Sequence, residues 1–116
     1  MPDPATPPPF TIEVEDRDAT AYICCHGKLV AGTGDLLYDP VSQLLSTHQR
    51  IILDLTHLTH MDSTGLGALV RIYVSAKHKG VALELRNLGP KVRDLLILTN
   101  LLPAFTITGE HNIRVM

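Results

Sequence analysis

The sequence predicts an α/β domain in which helices pack on a mainly parallel sheet that carries an antiparallel hairpin at its N-terminal edge. Three observations lead there. The run "RIILDL" (50–55) is apolar almost throughout, as in strands buried on both faces by helices. Period-two stretches such as "FTIEVE" and "VALELRN" alternate with stretches whose apolar residues recur at helical spacing. A length of 116 residues suits one domain with a real core.

Taken in order, residues 1–9, "MPDPATPPP", hold five of the eight prolines and read as a disordered or extended tail, which leaves 10–116 as the domain. "FTIEVE" sets Phe10, Ile12 and Val14 against Thr11, Glu13 and Glu15, a half-buried strand. "ATAYICCHG" is a second strand, apolar on both faces, and the short polar "RDAT" between them suits a hairpin. "LVAGTGD" is a loop. Leu37, Val41, Leu44, Leu45 and His48 then fall at helical spacing; the simplest helix takes Asp39 as cap and Pro40 as first residue, an earlier start with a kink being the alternative. After "RIILDL" and a turn "THLTHMD", a helix carries a stripe of Leu66, Leu69, Val70, Tyr73 and Val74, with Arg71, Ser75, His78 and Lys79 on the wet side and Gly80 as stop. "VALELRN" is a strand with Val81, Leu83 and Leu85 on one side. A helix starting at Pro90 (Val92, Leu95, Leu96, Thr99) stops at Asn100, and "AFTIT" forms the last strand.

Composition narrows the function. The net charge is −2 and the basic residues are scattered, which argues against a nucleic-acid face. No apolar run approaches the ~20 residues of a membrane span, and there is no signal-peptide pattern, so the expected compartment is the cytoplasm. Cys24 and Cys25 are neighbours on a strand and point to opposite faces, so free thiols are expected rather than a disulfide or zinc site.

The stretch "HMDSTGLGAL" (60–69) is the most informative. It puts two glycines into the opening turns of a helix, each costing about 1 kcal/mol relative to alanine. Asp, Ser and Thr stand in a row where one cap suffices. Two readings follow. In one, Asp62 or Ser63 only caps the helix. In the other, Ser63 is covalently modified and the helix N-terminus accepts the phosphate. Gly65 and Gly67 either admit another backbone or pack against the hosting strand. Ser63, His60 and Asp62 contain the residue types of a hydrolase triad, but adjacent residues seldom converge on one another and no GxSxG is present. His57 and His60 lack a third metal ligand. Asp54, inside an apolar strand, needs a strand end or hydrogen bonds.

With "IILDL" before it and "GVALELRNLGPKVRDLLILTNL" after it, "MDSTGLGAL" resembles the STAS domain of anti-sigma-factor antagonists, over about residues 10–107. The resemblance implies that Ser63 is phosphorylated by an anti-sigma factor with serine kinase activity and restored by a serine phosphatase. It implies that only the unphosphorylated form binds the anti-sigma factor and so releases a sigma factor. Asp62, Ser63, Thr64, Gly65 and Leu66, with Val30 and Thr33 of the loop, would form the partner surface. The implied protein is a non-enzymatic module without metal or cofactor, a monomer or weak dimer. A stressosome-like scaffold subunit, a cytoplasmic accessory of a lipid transporter and a small serine hydrolase using Ser63 are the alternatives. Two features depart from the family's pattern. Its Gly-x-Leu-Asp loop reads "GKLV" here, with Val30 in place of the carboxylate, and "GEHNIRVM" is short for the family's final helix.

Overall fold

The computed structural model describes residues 9–109. Along the chain run β1 (Phe10–Arg17), β2 (Thr20–Leu29), α1 (Gly34–Leu44), β3 (Arg50–Met61), α2 (Ser63–Lys79), β4 (Ala82–Arg86), α3 (Pro90–Leu98), a 3₁₀ turn (Leu102–Ala104) and β5 (Thr106–Thr108). The strands lie side by side in sequence order, β1 antiparallel to β2 and the rest parallel. Expected order, edge hairpin and fold class all agree with this. Of the tail, only Pro9 is described, and "EHNIRVM" lies outside the described residues.

Right-handed crossovers that step always the same way along a sheet bring their helices to the same face. Leu37, Val41, Leu69, Ile72, Ala76, Val92 and Leu96 accordingly join Ala21, Ile23, Cys25, Ile51, Leu53, Leu55 and Leu85 in one core. "RIILDL" was expected to be covered by helices on both faces; that expectation is corrected. Ile52 is buried but stands outside the core, between Tyr22 and Glu84 in the register. Polar side chains cover that face. Arg17 and Arg86 approach the Tyr22 ring at 4.8 and 5.7 Å. Asp54, as expected, is hydrogen-bonded: its Oδ1 accepts from the Thr56 N–H at 2.9 Å and from Asn87 at 3.4 Å. Cys24 and Cys25 are free thiols on opposite faces; burial pushes Cys25 up to about 12.

Glu84, on the opposite side of β4 from Leu83 and Leu85, is a charged residue that the fold buries, at 3% exposure. Its carboxylate accepts from Arg50, from Arg86 at 3.1 Å and from the Thr108 hydroxyl at 2.5 Å. Burial alone would raise its pKa, but the hydrogen bonds from Thr108, Arg50 and Arg86 outweigh it and hold the group below the usual carboxylate range. A depressed folded pKa gives stability that is present above the unfolded pKa and lost as pH falls through the folded one. Glu84→Gln should therefore lose about 1–2 kcal/mol at neutral pH and show a flatter fall in melting temperature between about pH 5 and 3. Melting curves of both proteins across that range check this; parallel acid profiles would contradict it.

Two boundaries and one helix face differ from expectation. Helix α1 begins at Gly34, the earlier start that was the alternative, rather than at Asp39–Pro40, and contains Pro40. An internal proline costs about 3 kcal/mol. Full burial of Leu37 on the longer helix, worth about 1.5–3 kcal/mol, offsets most of that. Strand β3 runs on through "THLTHM", where no glycine or proline interrupts it, because β2 continues beside it to Leu29 opposite Met61. In α2 Gly65, Leu66, Ala68, Leu69, Ile72 and Ala76 are buried and Val70 and Tyr73 pack partly buried against the core, so of the expected stripe only Val74, 56% exposed, is misplaced. A stripe counted in fours from Leu66 drifts off the core face, since four residues turn a helix by more than one full turn.

Candidate functional site

Because β2 and β3 are parallel and end together, at Leu29 and Met61, their chains leave the sheet side by side. The 30–33 loop therefore abuts the start of α2. Asp62 is the N-cap: its Oδ1 accepts the Gly65 N–H at 2.9 Å. Its other oxygen accepts the Ala31 N–H across the gap at 3.3 Å, tying the loop to the helix. The Gly65 N–H, joined by that of Ala31, holds the Asp62 carboxyl below the usual carboxylate range.

Thr33 is buried and organises the loop from within. Its hydroxyl donates to the Lys28 carbonyl at 2.7 Å and accepts from the Val30 N–H at 2.9 Å. Gly65 explains one of the two helix glycines. An added Cβ would stand 1.8 Å from the Leu29 carbonyl oxygen and 2.6 Å from its carbon. The backbone it admits is thus the chain's own, from β2 rather than from the hosting strand β3.

Ser63 is the first residue of α2 and is exposed. Capping falls to Asp62, and among the described residues the Ser63 hydroxyl has no hydrogen-bond partner. Of the residues expected at the site, the fold brings Asp62, Ser63 and Thr64 to the surface, with half-buried Val30 beside them in the loop. Leu66 is 5% exposed and packs in the core, and Gly65 is buried, so these two support the site from beneath.

Beside Thr64 an open groove of about 570 Å³ runs between the starts of α1 and α2, lined by Gly32, Gly34, Asp35, Gly67, Ala68 and Arg71. Arg71, expected on the wet side of α2, lies 3.9 Å over the Tyr38 ring and 3.2 Å from Asp35. The sequence reading missed this groove and the Ala31 clip. Glycines in "LVAGTGD" were a signal for the groove; a backbone N–H leaves none.

His60 hydrogen-bonds its neighbour Thr59 at 3.1 Å, and His57 stacks on His26 at 5.0 Å. Neither engages Ser63 or Asp62 among the described residues, so the geometry of a nucleophile with its base is not formed. No group of three His, Cys, Asp or Glu side chains among the described residues could hold a metal ion.

Comparison with known proteins places the chain in a family. The STAS domain model matches residues 11–112. The chain belongs to the STAS domain family. This STAS domain is 28% identical over 92 residues to the anti-sigma F factor antagonist of Paenibacillus polymyxa, covering 78% of the chain and 79% of the relative. It is likewise 28% identical over 82 residues to a STAS-domain containing protein of Pseudomonas aeruginosa (71% and 81% covered). Among solved structures, a Thermotoga maritima protein assigned as an anti-sigma factor antagonist superposes with a TM-score of 0.77 at 25% identity, covering 84% and 85% of the two chains. No helix among the described residues of this STAS domain is long and apolar enough to cross a membrane.

Proposed function

We propose that this STAS domain is a phosphorylation-controlled antagonist of an anti-sigma factor, acting in the cytoplasm without catalysis of its own. The observation that carries the reading is Ser63: a serine at the first position of a long helix, exposed, with its hydroxyl unengaged among the described residues because Asp62 performs the capping. Partner kinase chemistry would move the γ-phosphoryl group of ATP to Ser63 Oγ. The new O–P bond forms as the bond to ADP breaks, and the hydroxyl proton passes to a base of the partner. Water attacking phosphorus in a phosphatase would restore the hydroxyl and release phosphate. A phosphoserine adds about −1.5 to −2 charge at pH 7. The helix N-terminus accommodates such an anion, so the mark alters the surface rather than the fold. Unmodified, the Asp62–Ser63–Thr64 ridge with Val30 beside it would dock the anti-sigma factor and free its sigma factor.

The test is incubation with ATP and each purified kinase-type anti-sigma factor of the source organism, followed by peptide mapping. Label is expected on Ser63 alone and is expected to vanish in Ser63→Ala. Label persisting in that variant, for instance on Thr64, would overturn the assignment.

A further inference from the structure

Among the described residues, Gly67 is the helix-interior glycine that neither packing nor backbone conformation explains; Gly89, which also meets nothing, stands outside a helix as the N-cap of α3. A Cβ added at Gly67 meets nothing within 4 Å, and the residue is not among those with positive φ. Neither packing nor backbone conformation calls for glycine, and alanine would strengthen the helix. Its neighbour Gly65, by contrast, is fully accounted for by the Leu29 carbonyl. Gly67 lies four residues after Ser63, on the same side of α2, and its bare backbone forms part of the floor of the groove between α1 and α2. What a missing side chain provides there is room for another chain to come close.

We propose that this groove receives a segment of the partner kinase: an apolar residue seated on Gly67 and Ala68, with polar neighbours facing Thr64 and the Asp35–Arg71 pair. The inference rests on the phosphoswitch reading and adds the place where the partner lies. The occupant follows from distance. A protein that brings ATP to Ser63 Oγ in a specific complex covers about 800 Å² of this surface, and Gly67 stands only about 6 Å further along the helix axis. The exposed Asp35–Arg71 pair at the groove's edge offers both signs of charge for setting the register of the incoming segment.

Gly67→Ala and Gly67→Gln test this, with Leu98→Gln as control at the other end of the domain, where Leu98 is 80% exposed. Melting curves and calorimetric titrations use the purified kinase-type anti-sigma factors of the source organism. Both Gly67 variants should melt at or above the parent temperature. Gly67→Gln should bind at least about tenfold more weakly, Gly67→Ala should fall between, and Leu98→Gln should match the parent. If the parent is bound and phosphorylated while Gly67→Gln binds equally well, the groove assignment is overturned and the phosphoswitch stands. A Gly67→Gln protein melting well below the parent would reveal a packing role and overturn it too. A parent that is neither bound nor phosphorylated overturns both.

Discussion

Ser63→Asp is expected to weaken partner binding at least about a hundredfold while melting within a few degrees of the parent. The two effects separate because they arise from different surroundings. In the free domain Ser63 is exposed and its hydroxyl caps nothing, the cap being Asp62. A carboxylate in the first helical turn is favoured by the helix dipole by about 0.3–1 kcal/mol, and repulsion from the adjacent Asp62 offsets part of that. In the proposed complex the same carboxylate would meet a surface suited to a neutral hydroxyl. An unpaired charge buried there costs about 3–5 kcal/mol, and each ~1.4 kcal/mol is a factor of ten in affinity. Ser63→Ala keeps the surface neutral and should bind like the unphosphorylated parent, even under conditions that phosphorylate the parent. Melting temperature and dissociation constant, measured for both variants, check the pair. Tight binding by the aspartate variant would show that the switch is not electrostatic exclusion at this helix start.

Gly65→Ala should be the most damaging single-methyl change near the site, destabilising the domain by about 3 kcal/mol or more. The added Cβ would stand 1.8 Å from the Leu29 oxygen and 2.6 Å from its carbon, and both belong to backbone. Neither side can yield cheaply. Leu29 is paired to Met61 at the end of the sheet, and Asp62 fixes the helix start through the Gly65 N–H itself. Relief would require moving α2 off its cap or opening the β2–β3 register. At about 4–8 °C per kcal/mol for a domain near this size, a fall of 12 °C or more is expected, or failure to fold. Circular dichroism melts of Gly65→Ala beside Gly67→Ala read the contrast, since the second change meets nothing. A Gly65→Ala domain melting within about 2 °C of the parent would falsify the close-approach account.

How far the sequence could be read depended on whether a feature was local. Period two in "FTIEVE" and "VALELRN", the run "RIILDL", the stops at Gly80 and Asn100 and the Asp-Ser-Thr-Gly-Leu stretch all act over a few residues. They were enough for the strand and helix order, the family and the position of Ser63. Errors arose where distant groups decided. Pro40 is a local helix-start signal, but burial of Leu37 against the sheet outweighs it and the helix begins earlier, at Gly34. "THLTHM" ends in a strand because β2, from another part of the chain, pairs with it. Nothing local to Glu84 announces its burial, because Arg50, Arg86 and Thr108 close over it from three strands.

The candidate site divides along the same line. By itself the sequence determined that an aspartate and a serine stand at a helix start behind a buried strand, since capping and hydrophobic periodicity are written in neighbouring residues. Only the tertiary structure decided which of them caps, because the geometry of Asp62 answers both Gly65 and the remote Ala31. It alone separated the two glycines, one pressed on the Leu29 carbonyl and the other open to a groove. The physical reason is that a glycine records only the absence of a side chain. What takes up the vacated space is set by whichever backbone or partner arrives there, and that is a property of the fold in three dimensions.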